Sequence, residues 1–242
     1  MTTATKTQPA KAPARKRAPR KPKPAAPPPA PTVLNVPALQ FARAWGWVIT
    51  AASTDTYRPV LCSVSIEIYD PESVRLAAAS SYELLHCWVS EGDDPGTDAP
   101  VPGAVLVQDG DRRLTALLKF VARTSGAMDR LRIEVRDATV LFATDTETVI
   151  VPRCAKDDGT LDEFPNWRSL LGQVGGTSGT VTHSLRSLRW MANLKQAGNG
   201  STAQRGPRMT PSVKPLGPIG LAWPWFEPPL YGLVMPVRDG ES

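Results

Sequence analysis

The stretch VLCSVSIEIYDPESVRLAAASSYELLHCWV, residues 60–89, decides the fold class because it divides into three strand-like runs with short turns between them. Apolar and polar residues alternate in the first run, as they do in a β-strand with one buried face. Asp-Pro-Glu and Ser-Ser, between the runs, are turn-forming sequences. Turns this short join antiparallel neighbours. We therefore predict an antiparallel sheet with strands at 60–68, 73–79 and 82–89.

An amphipathic helix is predicted before this stretch and another after it. Asn35 is a good N-cap, and apolar residues recur at helical spacing beyond it, which predicts a helix over 37–52. The second helix is expected to begin at a cap formed by Asp109 or Asp111 and to run to about Arg123, with a leucine-rich buried stripe.

The helix-and-three-strand pattern is repeated along the chain. Further strands are predicted at 103–108, 131–135, 139–144, 148–153, 219–223 and 230–237. The pattern occurs twice and begins a third time with a helix at Thr182. The sequence therefore predicts an α+β fold of repeated βαβββ units, whose antiparallel sheets are covered on one face by helices.

The first 32 residues differ in composition from the rest of the chain. They hold eight Lys or Arg, nine prolines and no acidic residue, so we predict a disordered basic arm over 1–32. The arm takes eight of the chain's 28 basic residues and none of its 23 acidic ones, which leaves the body with 20 basic and 23 acidic residues. Such an arm is typical of a sequence-independent tether to nucleic acid or an acidic surface, or of a solubilising leader.

Several function classes lack the residues that they need. No apolar run approaches the roughly 18 residues of a membrane-spanning helix, and no secretory signal pattern is present. Three cysteines at irregular spacing indicate reduced thiols and a cytoplasmic protein. His86 and Cys87 have no second ligand pair nearby, and the chain has no nucleophile elbow, phosphate loop or paired carboxylates. We expect no metal, no cofactor and no enzymatic activity.

Basic residues lie on the polar stripe of each predicted helix, although the body is acidic overall. They are Arg43, Arg112, Lys119, Arg123, Arg186 and Arg189. Two interpretations fit this pattern: a solvated helix face, or contact with the phosphates of DNA. No base-reading motif accompanies them, so any DNA binding is expected to be independent of sequence and sensitive to salt.

Three segments resemble the bacterial DNA polymerase III beta subunit family, the sliding clamp or processivity factor. The segment RPVLCSVSIEIYDPESVRLAAASSYELLHC (58–87) resembles the middle clamp domain, with its Arg-Pro-x-Leu entry and its Val-Ala-Thr-Asp-x-x-Arg-Leu segment. LDEFPNWRSLL (161–171) resembles the Gly-x-Phe-Pro-Asp-Tyr link between the middle and last domains. LYGLVMPVR (230–238) resembles the last strand, which ends in Met-Pro-x-Arg.

The resemblance implies a DNA-clamp fold with a reduced domain set. Residues 33–174 would form one clamp domain like the middle domain of the family, and 175–242 a shortened last domain. Bacterial clamps close as dimers of three-domain subunits, which this chain cannot copy. A trimer or tetramer ring is expected instead, or an accessory protein that forms no ring. The length and the basic arm suit a bacteriophage or mobile-element version, acting in a bacterial or phage-infected cell.

The resemblance also implies two functional surfaces. In the family, helices line a hole that holds double-stranded DNA, which gives the basic stripe a role. An apolar pocket binds short peptides of DNA polymerases, and the clamp loader is a further candidate partner. The matching pocket residues here are Ala79, Ser80, Ser81, Tyr82, Glu83, Leu84, Pro165, Leu170, Leu233, Val234, Met235, Pro236, Val237 and Arg238.

The pocket assignment has an alternative and two departures from the family pattern. The same residues could be ordinary core and edge residues. Ser80 and Glu83 replace the family's Asp and Arg, so a different partner peptide is expected. We also expect the last strand to stop at Pro236 and to leave an open sheet edge for the peptide.

Overall fold

The computed structural model describes residues 32–101, 103–155, 160–175, 207–213 and 217–235. The helices and strands follow in this order: β1 (Thr32–Pro37), α1 (Ala38–Val48), β2 (Val64–Asp70), β3 (Ser73–Ala79), β4 (Glu83–Val89), β5 (Gly103–Val107), α2 (Arg113–Thr124), β6 (Arg130–Val135), β7 (Thr139–Ala143), β8 (Thr148–Pro152), α3 (Arg168–Leu171), β9 (Arg208–Thr210), β10 (Ile219–Trp223) and β11 (Leu230–Val234). Short 3₁₀ turns lie at Ile49–Ala51 and Pro59–Cys62.

The strands form two antiparallel sheets that interlock the repeated units. One sheet has the order β1-β6-β7-β8, and the other has the order β5-β2-β3-β4-β11-β10-β9. The first strand of each unit is exchanged: β1 pairs with β6 of the second unit, and β5 pairs with β2 of the first. The predicted α+β fold of βαβββ units is confirmed, and the exchange ties the two units together through both sheets.

Helices α1 and α2 pack against each other and close the main core. Phe41 and Trp45 of α1 meet Phe142 of β7, with ring centroids 6.1 and 6.5 Å from it. The indole Nε1 of Trp45 donates a hydrogen bond of 3.2 Å to the hydroxyl of Thr115 in α2. Leu114 and its apolar neighbours on α2 are buried on the same side. Helical spacing of large apolar residues thus produces one continuous core.

Strands β3 and β4 are buried on both faces, which explains their nearly continuous apolar sequences. Leu76 and Leu85 belong to the main core on the helix side. Ala77 and Leu84 belong to a second cluster that packs against Trp167 on the other face. Since successive side chains of a strand point to opposite faces, this sheet has a helix side and a linker side. The linker is residues 160–175.

Some predicted boundaries were wrong because long-range pairing and turn geometry overrode the local pattern. Asn35 is no helix cap: it lies in β1 opposite Arg132 of β6. Helix α1 ends at Val48 rather than 52. The strand predicted over 60–68 begins only at Val64, because the 3₁₀ turn precedes it. For α2 the carboxylate of Asp109 accepts backbone bonds from the first turn, as expected of a cap. The third helix predicted at Thr182 lies outside the described residues.

The last strand is not an open edge. β11 pairs with β4 on one side and with β10 on the other, so its backbone is satisfied along both edges. Gly232 permits this close approach, because a Cβ atom there would lie 2.7 Å from the carbonyl oxygen of Leu84. The pairing continues beyond β11, where the amide of Met235 donates to the carbonyl of Tyr82 at 2.8 Å. The expectation of an edge left open along this strand was therefore wrong.

The proposed domain boundary between residues 174 and 175 separates strands that belong to one continuous sheet. Strands β9, β10 and β11 come from the segment 175–242, whereas β2 to β5 come from 33–174. All seven strands share one hydrogen-bonded order. The two segments are therefore joined through the β4–β11 pair, and their division into domains stays a proposal.

Candidate functional site

A cavity of about 200 Å³ opens on the linker side, where the β3–β4 turn, the linker and the end of β11 meet. It is lined by ten of the residues that the sequence marked for a pocket: Ala79, Ser80, Ser81, Tyr82, Glu83, Leu84, Pro165, Leu170, Leu233 and Met235. The residues come from three separate segments, which the sheet brings together. The lining is apolar except for the turn and a few linker groups.

Four of the marked residues are not part of this lining. Val234 is fully buried in the main core on the helix side, because it follows Leu233 in a strand and points to the other face. Its assignment to the pocket was wrong. Pro236, Val237 and Arg238 lie outside the described residues.

Five lining residues were not marked by the sequence: Leu61, Phe164, Asn166, Trp167 and Ser169. Trp167 is only 3% exposed although it lies in a polar segment. Large aromatic residues in an otherwise polar linker are the signal that could have identified Phe164 and Trp167, since such residues seldom stay in water without a partner.

The β3–β4 turn is held by its own side chains at the rim of the cavity. The hydroxyl of Ser80 donates to the carboxylate of Glu83 and accepts bonds from the backbone amides of Tyr82 and Glu83 at 3.3 and 3.2 Å. The amide of Ser80 donates to the carbonyl of Glu83 at 2.8 Å. Arg58 reaches the hydroxyl of Ser81 at 3.4 Å. Ser80 and Glu83 thus bond to each other and shape this rim.

An ion pair fastens the linker to the sheet beside the cavity. Arg168 donates through Nη1 to Oε1 of Glu67 at 2.7 Å and through Nη2 to Oε2. Its Nε donates to the carbonyl of Thr97 at 2.9 Å. The indole of Trp167 donates to the same Glu67 carboxylate at 3.2 Å. The hydrogen bonds to Glu67 raise the pKa of Arg168 above its ordinary value, so its guanidinium stays protonated.

A second arginine fastens the loop after β4 to the same sheet face. Arg75 is fully buried and donates to the carboxylate of Asp94, to the carbonyl of Gly96 at 3.1 Å and to the hydroxyl of Tyr69 at 2.9 Å. That Tyr69 hydroxyl also accepts a bond of 3.0 Å from Arg168. The loop and the linker are therefore parts of one hydrogen-bonded network on the linker side.

His86 lies under the linker as a neutral aromatic residue. Its ring stacks on Trp167 at 4.6 Å and on Tyr231 at 5.5 Å between centroids. Burial, together with the charges of Arg75 and Arg168, lowers the pKa of His86 to about 3. Cys87 points to the other face, where its thiol donates to the carbonyl of Pro229. His86 and Cys87 therefore cannot bind one metal ion together.

Metal binding and membrane insertion find no support in the described residues. No group of three or more His, Cys, Asp or Glu side chains is placed to hold a metal ion in the part of the chain that the structure describes. No helix in that same part is long and apolar enough to cross a membrane. All three cysteines are free.

Four of the six predicted DNA-contacting residues are among the described residues, on α1, on α2 or directly before α2. Arg112 and Lys119 are exposed and line one groove of about 450 Å³ between α1 and α2. Arg43 is half-buried on α1, and Arg123 is exposed in the last turn of α2. The remaining two predicted residues, Arg186 and Arg189, lie outside the described residues. The described ones are on the helices or, for Arg112, directly before α2, whereas the cavity is on the opposite face of the seven-stranded sheet.

An exposed apolar patch lies where α2 packs beside the outer strand β8. Phe120 of α2 is 53% exposed and Ile150 of β8 is 51% exposed. They line a groove of about 550 Å³ that also contains Arg113 and Glu147. β8 pairs only with β7 among the described strands, so its other backbone edge is available.

The fold is similar to that of bacterial sliding clamps. No protein-family model and no curated protein matches the chain. Among solved structures, the beta sliding clamp of C. crescentus matches with a TM-score of 0.51 and 11% identity, over 87% of this chain and 65% of the clamp. The sliding clamp (DNA polymerase III subunit beta) from Bartonella birtlesii, bound to griselimycin, matches with a TM-score of 0.53 and 14% identity, over 90% and 68%. The griselimycin-bound clamp from Pseudomonas aeruginosa gives 0.50 and 12%, over 90% and 68%.

These similarities establish the fold and the share of a clamp's length that this chain spans. At 11 to 14% identity they concern the fold alone. This chain spans about two thirds of the length of those clamps. The clamp-type fold expected from the three sequence segments is confirmed by the three-dimensional match.

Proposed function

We propose that this protein is a non-enzymatic, sliding-clamp-like processivity factor that holds duplex DNA on its helix side and tethers a DNA polymerase through the linker-side cavity. The observation that carries the proposal is the placement of the two surfaces. The groove between α1 and α2 and the cavity at the end of β11 lie on opposite faces of the seven-stranded sheet. A protein built in this way can bind DNA and a partner at the same time without competition.

The helix side is suited to phosphate contact that does not depend on sequence. Arg112 and Lys119 are exposed in the groove between the helices, and long flexible cations attract phosphates without fixing a register. Arg43 and Arg123 extend the charge along the two helices. The groove carries no arrangement that reads bases, so DNA could slide past it.

The cavity is suited to anchoring side chains of a short peptide. Its volume of about 200 Å³ is below the roughly 300–1,000 Å³ of small-molecule pockets. Leu84, Leu233 and Met235 supply apolar area, and Ala79 leaves room beside them. We infer that the polymerase, and a clamp loader, bind here through apolar residues of a flexible segment.

Retention on DNA requires closure, which we assign to a head-to-tail homotrimer or homotetramer. A heterologous interface repeated around an axis closes a ring when the two edges are complementary. The free edge of β8 with exposed Phe120 and Ile150 is one candidate edge. β9, the outer strand of the other sheet, carries exposed Met209 and is the other. Such a ring would act in the cytoplasm on the chromosome or another duplex.

Comparison of circular and linear DNA tests the proposal. A closed ring loaded on a nicked circle should be retained in salt that removes simple phosphate binding, and cutting the circle should release it. Native mass spectrometry of the same preparation should give a trimer or tetramer. Equal escape from circular and linear DNA would reject the ring.

Griselimycin, which two of the structurally similar clamps bind, is a probe for the cavity. Wild-type protein should bind it in a calorimetric titration, and Met235→Glu should abolish the binding because a carboxylate cannot be buried there without a partner. Met128→Glu is the matched control, since Met128 is 80% exposed and outside the cavity. Equal binding by M235E and wild type would refute the cavity as the partner site.

A second candidate function is a DNA-binding adaptor that forms no ring and holds DNA with its basic arm. The eight Lys or Arg in residues 1–32 favour it. On this hypothesis, deleting the arm abolishes DNA binding, and the protein is a monomer or an open dimer. If the protein that lacks residues 1–32 binds DNA as well as the full chain does, the adaptor hypothesis fails.

A further inference from the structure

We infer that Glu67 is the positioning residue of the cavity: through Arg168 and Trp167 it holds the linker in the place where the linker forms one wall. The inference rests on the proposed function only where partner binding is concerned. Glu67 is on β2, is 4% exposed, and is not itself among the residues lining the cavity. It acts on the cavity through other residues.

The linker forms the wall but has little backbone attachment to the sheet. Its ends are fixed by bonds from the amide of Asp162 to the carbonyl of Cys154 and from the amide of Gly175 to the carbonyl of Pro211. Between them, the backbone hydrogen bonds recorded for residues 163–171 stay within the linker, such as Trp167 to Pro165 and Leu170 to Trp167. In the part of the chain that the structure describes, this segment is therefore held to the sheet by side chains.

Glu67 is where those side chains meet. Its carboxylate accepts both Nη groups of Arg168 and the indole N–H of Trp167. The guanidinium of Arg168 lies 4.6 Å from the centroid of the Trp167 ring, and that ring also stacks with His86. Bidentate pairing with a planar guanidinium fixes direction as well as distance. One carboxylate thus sets the depth and the orientation of the Trp167 wall.

The same sheet face offers a matched control. Asp94 pairs with the fully buried Arg75, as Glu67 pairs with Arg168, but Asp94 is on the loop after β4 and bonds to Arg75 and to the amide of Gly96 rather than to a linker residue. The Asp94 pair reaches the linker indirectly, through the Tyr69 hydroxyl that Arg75 and Arg168 share and through the loop that carries Thr97. Asp94→Asn should therefore weaken an ion pair on the same face while the direct bonds of Glu67 to the linker stay in place. A purely structural role for both pairs predicts the same outcome for Glu67→Gln and for Asp94→Asn.

The decisive measurement is amide hydrogen exchange across 160–175 in the full-length protein, which needs no ligand. Glu67→Gln should speed exchange of the Trp167 and Leu170 amides about tenfold, since it removes a charged bidentate contact. Asp94→Asn should leave these amides within about twofold of wild type. Arg168→Lys keeps the positive charge but loses the bidentate guanidinium contact, so it should speed exchange as Glu67→Gln does. It takes the place of Glu67→Gln if that variant folds poorly. Unchanged exchange in E67Q and R168K, or an equal rise in D94N, would overturn the inference.

Griselimycin titration separates this inference from the proposed function. Affinity should fall about tenfold in Glu67→Gln and stay near wild type in Asp94→Asn. If wild-type protein does not bind griselimycin while the exchange difference is present, the positioning role stands and the partner-site proposal fails. If wild type binds and E67Q binds equally well, the linker wall does not control the cavity and the inference fails.

Discussion

Replacing Gly232 with alanine should separate the two strands on which the cavity depends. The added Cβ would lie 2.7 Å from the carbonyl oxygen of Leu84 and 2.8 Å from a methyl of Leu85. The first contact cannot be relieved by a side-chain rotation, because it is made with the backbone of β4 inside a seven-stranded sheet. Overpacking of this kind costs about 1–3 kcal/mol of the free energy of unfolding. For a domain of this size that lowers Tm by roughly 2–12 °C.

Thermal and guanidinium unfolding, followed by circular dichroism, measure this effect. Gly46→Ala is the matched control, because Gly46 is an exposed residue of α1 and a Cβ there would meet nothing within 4 Å. Since glycine costs a helix interior about 0.5–1 kcal/mol relative to alanine, G46A should stabilise the protein. G232A should also weaken griselimycin binding, because Leu233 and Met235 follow the displaced residue. A G232A protein as stable as wild type would refute the close approach of β4 and β11.

Three further predictions concern charge, assembly and pH. Reversing Arg112 and Lys119 to Glu should weaken DNA binding for all sequences and flatten its salt dependence in fluorescence titrations; unchanged affinity would exclude this groove. Phe120→Glu with Ile150→Glu should turn an oligomer into monomers in native mass spectrometry without lowering Tm, and an unchanged mass would exclude the β8 edge. The pKa of His86 falls from 6.5 to about 3 on folding, so the unfolded state binds the proton first. The free energy of unfolding should therefore be unaffected by His86 above pH 6.5 and should fall toward pH 3 by up to about 1.4 kcal/mol per pH unit. His86→Gln should remove this part of the slope in denaturant titrations; an unchanged slope would show that His86 is not its source.

Elements whose limits depend on local chemistry were predicted closely. β3 and β10 have the predicted bounds, 73–79 and 219–223, because turn-forming residues flank runs of apolar and β-branched side chains. β1 was missed, since a short strand after a proline-rich arm has a weak local signal. Its conformation depends on β6, which lies almost a hundred residues further along the chain.

For the candidate site, too, some residues could be predicted from the sequence and others could not. Pattern and resemblance identified ten residues of the cavity lining, because those residues lie in short segments whose types and order are recognisable in the sequence. Val234 was assigned wrongly because the segment match ignored the alternation of faces along a strand.

The sequence by itself determined the βαβββ repeat, the basic arm, the helix-side cations and the segments that form the cavity, since periodicity, composition and turn residues act locally. Only the tertiary structure decided that β11 is an inner strand and that Glu67 faces the guanidinium of Arg168 rather than water. A polar residue in an alternating strand has the same sequence pattern in both situations. Whether it meets solvent or a partner depends on the linker that folds over it from a hundred residues away.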